Sequence, residues 1–121
     1  MSRNLGSRLD GRTYVSTRVE GYELVDGTHV ELTFEGDQLG FSAGCNSGGA
    51  TWSVEGDVLV IGGGMAMTEM FCEPPALMDQ EAWSSELLTS RPTVTLDGDT
   101  MTLTAQRAVV TFSDREDAAP G

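Results

Sequence analysis

The sequence predicts a mainly β domain: a small antiparallel, partly open β-barrel-like sheet with a single helix packed on it. Three observations carry that prediction. Short runs with an apolar residue at every second position recur along the chain, the pattern of strands with one buried and one wet face. A turn of the form acidic-Gly-Asp-x-apolar separates such runs three times, at Glu35–Leu39, Glu55–Leu59 and Asp97–Met101, which is a hairpin signal. Only one stretch, opened by Pro74-Pro75, carries a convincing helical period. A sheet of many short strands curls to remove its exposed edges, and the helix then covers an open end or face.

The 121 residues make one domain, long enough to bury a core without metals or extra cross-links. Hydrophobic residues at 39%, with 15 glycines against 4 prolines, suit a folded, turn-rich chain rather than a disordered one. Seven basic residues against 19 acidic ones leave a net charge of -12. That charge keeps a compact domain soluble and repels polyanions, so neither nucleic acid nor an anionic membrane surface is expected as a partner. No apolar run approaches the roughly 18 residues of a helical membrane span, so no direct membrane insertion is expected. The opening Met1–Asp10 has no apolar signal core. Two locations fit it equally: the cytoplasm, or the envelope after removal of an export signal.

In order along the chain, residues 1–10 are expected to form a flexible lead. Thr13–Val19 is rich in β-branched residues and reads as the first strand. Tyr22–Val25 is a short extended piece before the Asp26-Gly27 turn. Val30, Leu32 and Phe34 alternate into the first acidic turn, and Leu39, Phe41, Ala43 and Cys45 alternate out of it, which puts Cys45 inside. Asn46–Gly49 reads as a reversal. Ala50, Trp52 and Val54 lead to the second acidic turn, and Val58–Ile61 is an unbroken apolar strand. Gly62-Gly63-Gly64 then reads as a loop or sharp bend. In the helix, Pro74-Pro75 fit a first turn, where the missing N–H is not needed. Ala76, Gln80, Trp83 and Leu87 share a face with Leu77 and Leu88 beside it, while Asp79, Glu81 and Glu86 face water. Arg91-Pro92 ends it. Val94 and Leu96, then Met101 and Leu103, flank the third acidic turn, and Ala108–Phe112 is the last strand. The domain proper is thus 11–113, and 114–121 is expected to be a flexible acidic tail.

Certain of these residues fall in a recognisable order. Gly44-Cys45-Asn46 is followed by a strand with Trp52, then by Met67-Thr68-x-Met70-x-Cys72, then by Leu77-Met78-x-x-Glu81 in the helix. Together they resemble the META domain family, which includes the heat-shock protein HslJ. The closing Leu96–Leu103 is similar to that family's C-terminal hairpin, and the resemblance covers about residues 11 to 113. It implies a compact β-barrel-like fold with one helix, in members often periplasmic or lipid-anchored, with roles in heat shock, drug tolerance and motility and no settled biochemical activity. It also singles out Gly44, Cys45, Asn46, Thr68, Met70, Cys72 and Glu81 as family motif residues. Tyr14 stands where many members carry tryptophan, and the opening residues lack a lipoprotein signal.

The two cysteines allow two structural readings. A disulfide between Cys45 and Cys72 would stabilise by roughly 3.6 kcal/mol on the loop-entropy model, provided that its geometry is unstrained. It suits an exported chain, and two buried thiols acting as small apolar residues suit a cytoplasmic one. A reactive thiol needs a lowered pKa, and no Lys or Arg lies near either cysteine in sequence.

Other chemistry lacks its parts. Zinc wants four convergent ligands, and beyond the two cysteines the chain offers only His29, on the wet face of its strand. The Gly-Asp turns lack the spaced acidic series of a calcium loop. No serine sits in a nucleophile motif, and the glycine run lacks the Gly-Lys-Ser/Thr of a phosphate loop. With so many acids a chance carboxylate pair means little, and Glu69 reads as solvated or structural. Met65, Met67 and Met70 read as core filling.

A non-catalytic domain follows, with no cofactor, monomeric, and acting through contacts with another protein in stress response or envelope maintenance. Trp52, Tyr22 or the methionine row would carry the contact, and an exposed apolar patch would accompany it. The alternative is a barrel that binds a small apolar ligand, which needs an internal cavity; Phe34, Phe41, Trp52, Trp83 and Phe112 pointing inward would fill that space.

Overall fold

The three acidic turns set the pairing of the sheet. In the computed structural model, which describes residues 5–115, each is a two-residue hairpin loop. Glu35 pairs with Gln38, Glu55 with Val58 and Asp97 with Thr100. Gly36, Gly56 and Gly98 take φ of 61°, 67° and 62° while the aspartates after them stay at negative φ. That is the II′ pattern, in which the first central residue must tolerate positive φ and the turn's twist matches that of the strands.

Eight strands result: β1 (Thr13–Glu20), β2 (Glu31–Glu35), β3 (Gln38–Ser42), β4 (Ser47–Glu55), β5 (Val58–Met67), β6 (Thr93–Asp97), β7 (Thr100–Thr104) and β8 (Val109–Asp114). Each runs antiparallel to the next in sequence, and β8 returns to β1, so the sheet is a closed ring. The ring is thinnest between β5 and β6, where Val58 and Thr93 are the only paired residues. Leu59 N–H to the Pro92 carbonyl at 2.9 Å and Val94 N–H to that of Asp57 at 2.6 Å hold this seam. The main helix, α2 (Ala76–Thr89), occupies the connection between these two strands and lies against β5.

Inward-facing positions fill the ring. Leu32, Phe34, Leu39, Phe41, Trp52, Leu59, Val94, Met101, Leu103, Val110 and Phe112 are buried in one cluster. Phe34 is its aromatic centre, with Tyr14 edge-on at 6.1 Å and Trp52 edge-on at 4.7 Å. Burying each such side chain contributes about 1.5–3 kcal/mol, so the strand alternation is the main source of stability. Trp83 is only half-buried: it packs against the edge of that cluster and stacks on Tyr22 at 4.4 Å.

Several expectations are corrected. Residues 5–10 belong to the domain: α1 (Leu5–Leu9) is a short helix whose Leu9 is fully buried. Gly11 N–H bonds the Phe34 carbonyl at 2.7 Å and Gly36 N–H bonds Asp10 Oδ1 at 2.8 Å, which anchors that segment to β2 and its turn. At the other end β8 runs to Asp114, whose buried carboxylate pairs with Arg12, so the tail expected at 114–121 does not begin there; its residues 116–121 lie outside the described residues. Gly62–Gly64 is no loop, since β5 continues through it to Met67. The glycines instead absorb a register shift: between the pairs Gly49–Ala66 and Thr51–Gly62, β4 has one residue where β5 has three. The reversal expected at Asn46–Gly49 comes earlier, at residues 43–46, and Ser47–Gly49 opens β4. In α2 the buried stripe is Leu77, Gln80, Ser84, Leu87 and Leu88, and Ala76 is exposed.

Tyr14 gives this core a pH signature. Burial among apolar side chains raises its phenol above the ordinary value of 10.0, with the Arg12 charge opposing in part. The unfolded chain therefore releases this proton at lower pH than the folded one. Stability is complete below about pH 10 and falls as pH rises through the folded-state value. Urea midpoints across the alkaline range should show this decline, and Tyr14→Phe should flatten it; an identical slope in that variant would assign the loss to other groups.

Candidate functional site

The motif residues meet where β3 turns into β4. β3 ends at Ser42, and Gly44 at φ +96° turns the chain so that the strand's alternation stops. A side chain at Gly44 would come within 3.2 Å of Leu77 Cδ2 and Thr28 Cβ, so the turn packs tightly against α2. Because the alternation stops, Cys45 is not inside as its parity suggested; it is half-buried, and Asn46, 1% exposed, takes the interior place.

Every hydrogen-bonding position of the Asn46 carboxamide is used. Its Oδ1 accepts from the Met70 N–H at 2.7 Å and from Thr68 Oγ1 at 2.8 Å. Its Nδ2 donates to the Met70 carbonyl at 3.1 Å and to Glu81 Oε2 at 3.3 Å. The Asn46 backbone N–H donates to Glu81 Oε1 at 2.8 Å, so one carboxylate holds both its main chain and its side chain. A carboxamide offers two donors and two acceptor sites, and here all four are satisfied. Thr68 Oγ1 also accepts from the Ser47 N–H at 3.2 Å, and Thr68 N–H donates to the Ser47 carbonyl at 3.0 Å, which extends the β4–β5 pairing by one rung. Glu81 therefore does not simply face water, as its helical position suggested: it is half-buried and engaged.

A covalent bond lies beside this network. Cys45 and Cys72, 27 positions apart, form a disulfide with Cα atoms 5.9 Å apart. Gln80, next to Glu81, clips the other side of the reversal. Its Nε2 donates to the Ala43 carbonyl and to Thr28 Oγ1, each at 2.9 Å, and its Oε1 accepts from the Val25 N–H at 2.7 Å. The sequence did carry a signal for Gln80, a large polar side chain on the apolar face of a helix, which burial obliges to find partners.

All seven motif residues, Gly44, Cys45, Asn46, Thr68, Met70, Cys72 and Glu81, thus come together, and the arrangement is a clasp. It locks three segments: the 43–46 reversal, the 68–72 loop and α2. Among the described residues no group of three or more His, Cys, Asp or Glu is placed to hold a metal, and no helix is long and apolar enough to cross a membrane. His29 and Glu69 are exposed. Of the expected contact residues, Trp52 is buried in the core, Tyr22 lies against Trp83, and Met65 and Met67 are half-buried. The clasped loop instead presents Met70 at 57% exposure and Phe71 at 72%. Sequence reasoning missed Phe71; its neighbours Met70 and Cys72 belong to the motif, and an aromatic between two anchored positions was the available signal.

Removing the clasp should be costly. Asn46→Ala leaves Met70 N–H, Met70 C=O, Thr68 Oγ1 and Glu81 Oε2 without their Asn46 side-chain partner and should lose about 2–3 kcal/mol in urea unfolding. Asn46→Asp keeps the acceptors, loses both donors and sets a second carboxylate beside Glu81. It should be at least as unstable, and adding Glu81→Gln should recover part of the loss; wild-type stability in Asn46→Asp would contradict this account. The double variant Cys45→Ser, Cys72→Ser should lose up to about 3.6 kcal/mol. Reductant should destabilise the wild-type chain and leave that variant unchanged.

Comparison with known proteins agrees with this geometry. No curated protein sequence matches the chain. An NMR structure of a protein from Burkholderia xenovorans superposes with a TM-score of 0.73 at 18% identity, covering 94% of this chain and 92% of that one. A second NMR structure reaches a TM-score of 0.75 at 23% identity, covering 97% of this chain and 100% of the other. These likenesses establish a shared fold. The model of the META domain matches residues 7–117, nearly the whole chain, and by that match the protein belongs to the META domain family.

Proposed function

We propose that this META domain is a non-catalytic contact module of the stress response or the cell envelope, which binds another protein through the loop at 68–73. The observation that carries the reading is the pairing of exposure with restraint. Among the described residues Met70 and Phe71 are the large apolar side chains left exposed, and they sit on the loop held at Met70 by Asn46 and at Cys72 by the disulfide. Exposed large side chains on a restrained backbone bind with little loss of conformational freedom, which favours an anchor residue.

The clasp itself supports a structural rather than a catalytic role. Its cysteines are bonded to each other, and the donors and acceptors of Asn46 are spent inside the protein. A disulfide persists in oxidising compartments, which favours the envelope setting. A small apolar ligand inside the barrel is the competing reading, and the burial of Phe34, Phe41, Trp52 and Phe112 in that interior weighs against it.

The test is a photo-reactive aromatic at position 71, cross-linked in cells, followed by purification of the captured protein and direct affinity measurement. Phe71→Ser should weaken that complex about 30-fold or more while leaving the melting temperature unchanged. Equal affinity of the two chains would overturn the proposal.

A further inference from the structure

The charge around this loop is one-sided. The sequence contains no lysine, and no arginine lies between Arg18 and Arg91, although that interval contains most of the acidic residues. Glu69 and Glu73 flank Met70 and Phe71 on the loop itself, and all four are exposed. Asp79 stands exposed on the first turn of α2, a few residues beyond. Among the described residues the ion pairs are Arg12–Asp114, Arg18–Glu20 and Arg115–Glu31, so no described arginine pairs with any of these three acids.

From this we infer that the partner is cationic: a protein surface with an apolar socket for Phe71, rimmed by Lys or Arg that face Glu69 and Glu73. The inference rests on the contact reading above and names the chemistry of the occupant. An apolar anchor inside a charged rim is the ordinary anatomy of a specific interface. The rim acts mainly on the rate of encounter and on the choice of partner, because an uncompensated acidic rim repels any acidic surface and desolvates poorly against a neutral one. A second copy of this chain, with the same acids, is disfavoured by the same repulsion.

The probe is a set of three blocked amphipathic peptides of equal length, each pairing leucine with lysine, glutamine or glutamate. They are titrated against the isotope-labelled full chain and followed by amide NMR. The lysine peptide should bind alone of the three, with shifts concentrated at residues 68–73. Phe71→Ala should remove that binding, and Glu69→Gln with Glu73→Gln should weaken it about five- to tenfold and reduce its salt dependence. Equal binding of the glutamine peptide overturns the inference. So does lysine-peptide binding that Phe71→Ala leaves intact, since that is diffuse attraction to an acidic chain. The two proposals fail separately. If the protein captured from position 71 binds the Glu69→Gln, Glu73→Gln chain as tightly as wild type, the contact stands and its cationic character falls; if Phe71 matters to neither probe, both fall.

Discussion

One carboxamide ties this fold's loops together. Asn46 sits at the junction of three segments, the 43–46 reversal, the 68–72 loop and α2, and joins them with directed bonds. The ring of strands needs no such help, because apolar burial and hairpin geometry hold it. Residues 68–71 are exposed, so the position of that loop depends on polar bonds and on the disulfide. Burial of Asn46 is what gives those bonds their weight, since a buried polar group that loses its partner bears its full desolvation cost.

Gln80 and Glu81 show how the helix takes part. They are consecutive, so they point to different sides of α2, yet each reaches the same reversal from its own side. One holds the Ala43 carbonyl and the other the Asn46 N–H, so the reversal is gripped at both ends. The Arg12–Asp114 pair does a similar job at the ring's closing edge: the hydrogen bond to Asp114, reinforced by its charge, holds Arg12 firmly protonated. Both devices use charged or amide side chains to tie one segment of the chain to another.

Legibility in the sequence followed the range of the physics. The three hairpins were readable because a Gly at the first central position of a two-residue turn has few alternatives. The core was readable from alternation, as in Leu32 and Phe34 or Val110 and Phe112. The motif residues were readable as a group, by family resemblance, but their bonding was not. Partners of Asn46 lie more than twenty positions away and follow no period, and Glu81 was assigned to water because charge usually goes there. Cys45 was misplaced by extending a strand's parity past its end. The glycine run was misread because a residue that permits a bend does not require one; there it permits a bulge within a strand. Helix α1 was missed because five residues are too few to display a period, although Leu5 and Leu9 sit one turn apart.

The order of strands around the ring has a consequence for how the protein is made. Every strand pairs with its predecessor, so a growing chain can lay down the hairpins β2–β3, β3–β4, β4–β5 and β6–β7 as each leaves the ribosome. The edge of β1 is the exception. It waits for β8, the last strand of this ring in chain order, and until then it stands open to pairing with a neighbouring chain. The six residues of β8 thus protect the first strand from aggregation as well as completing the wall.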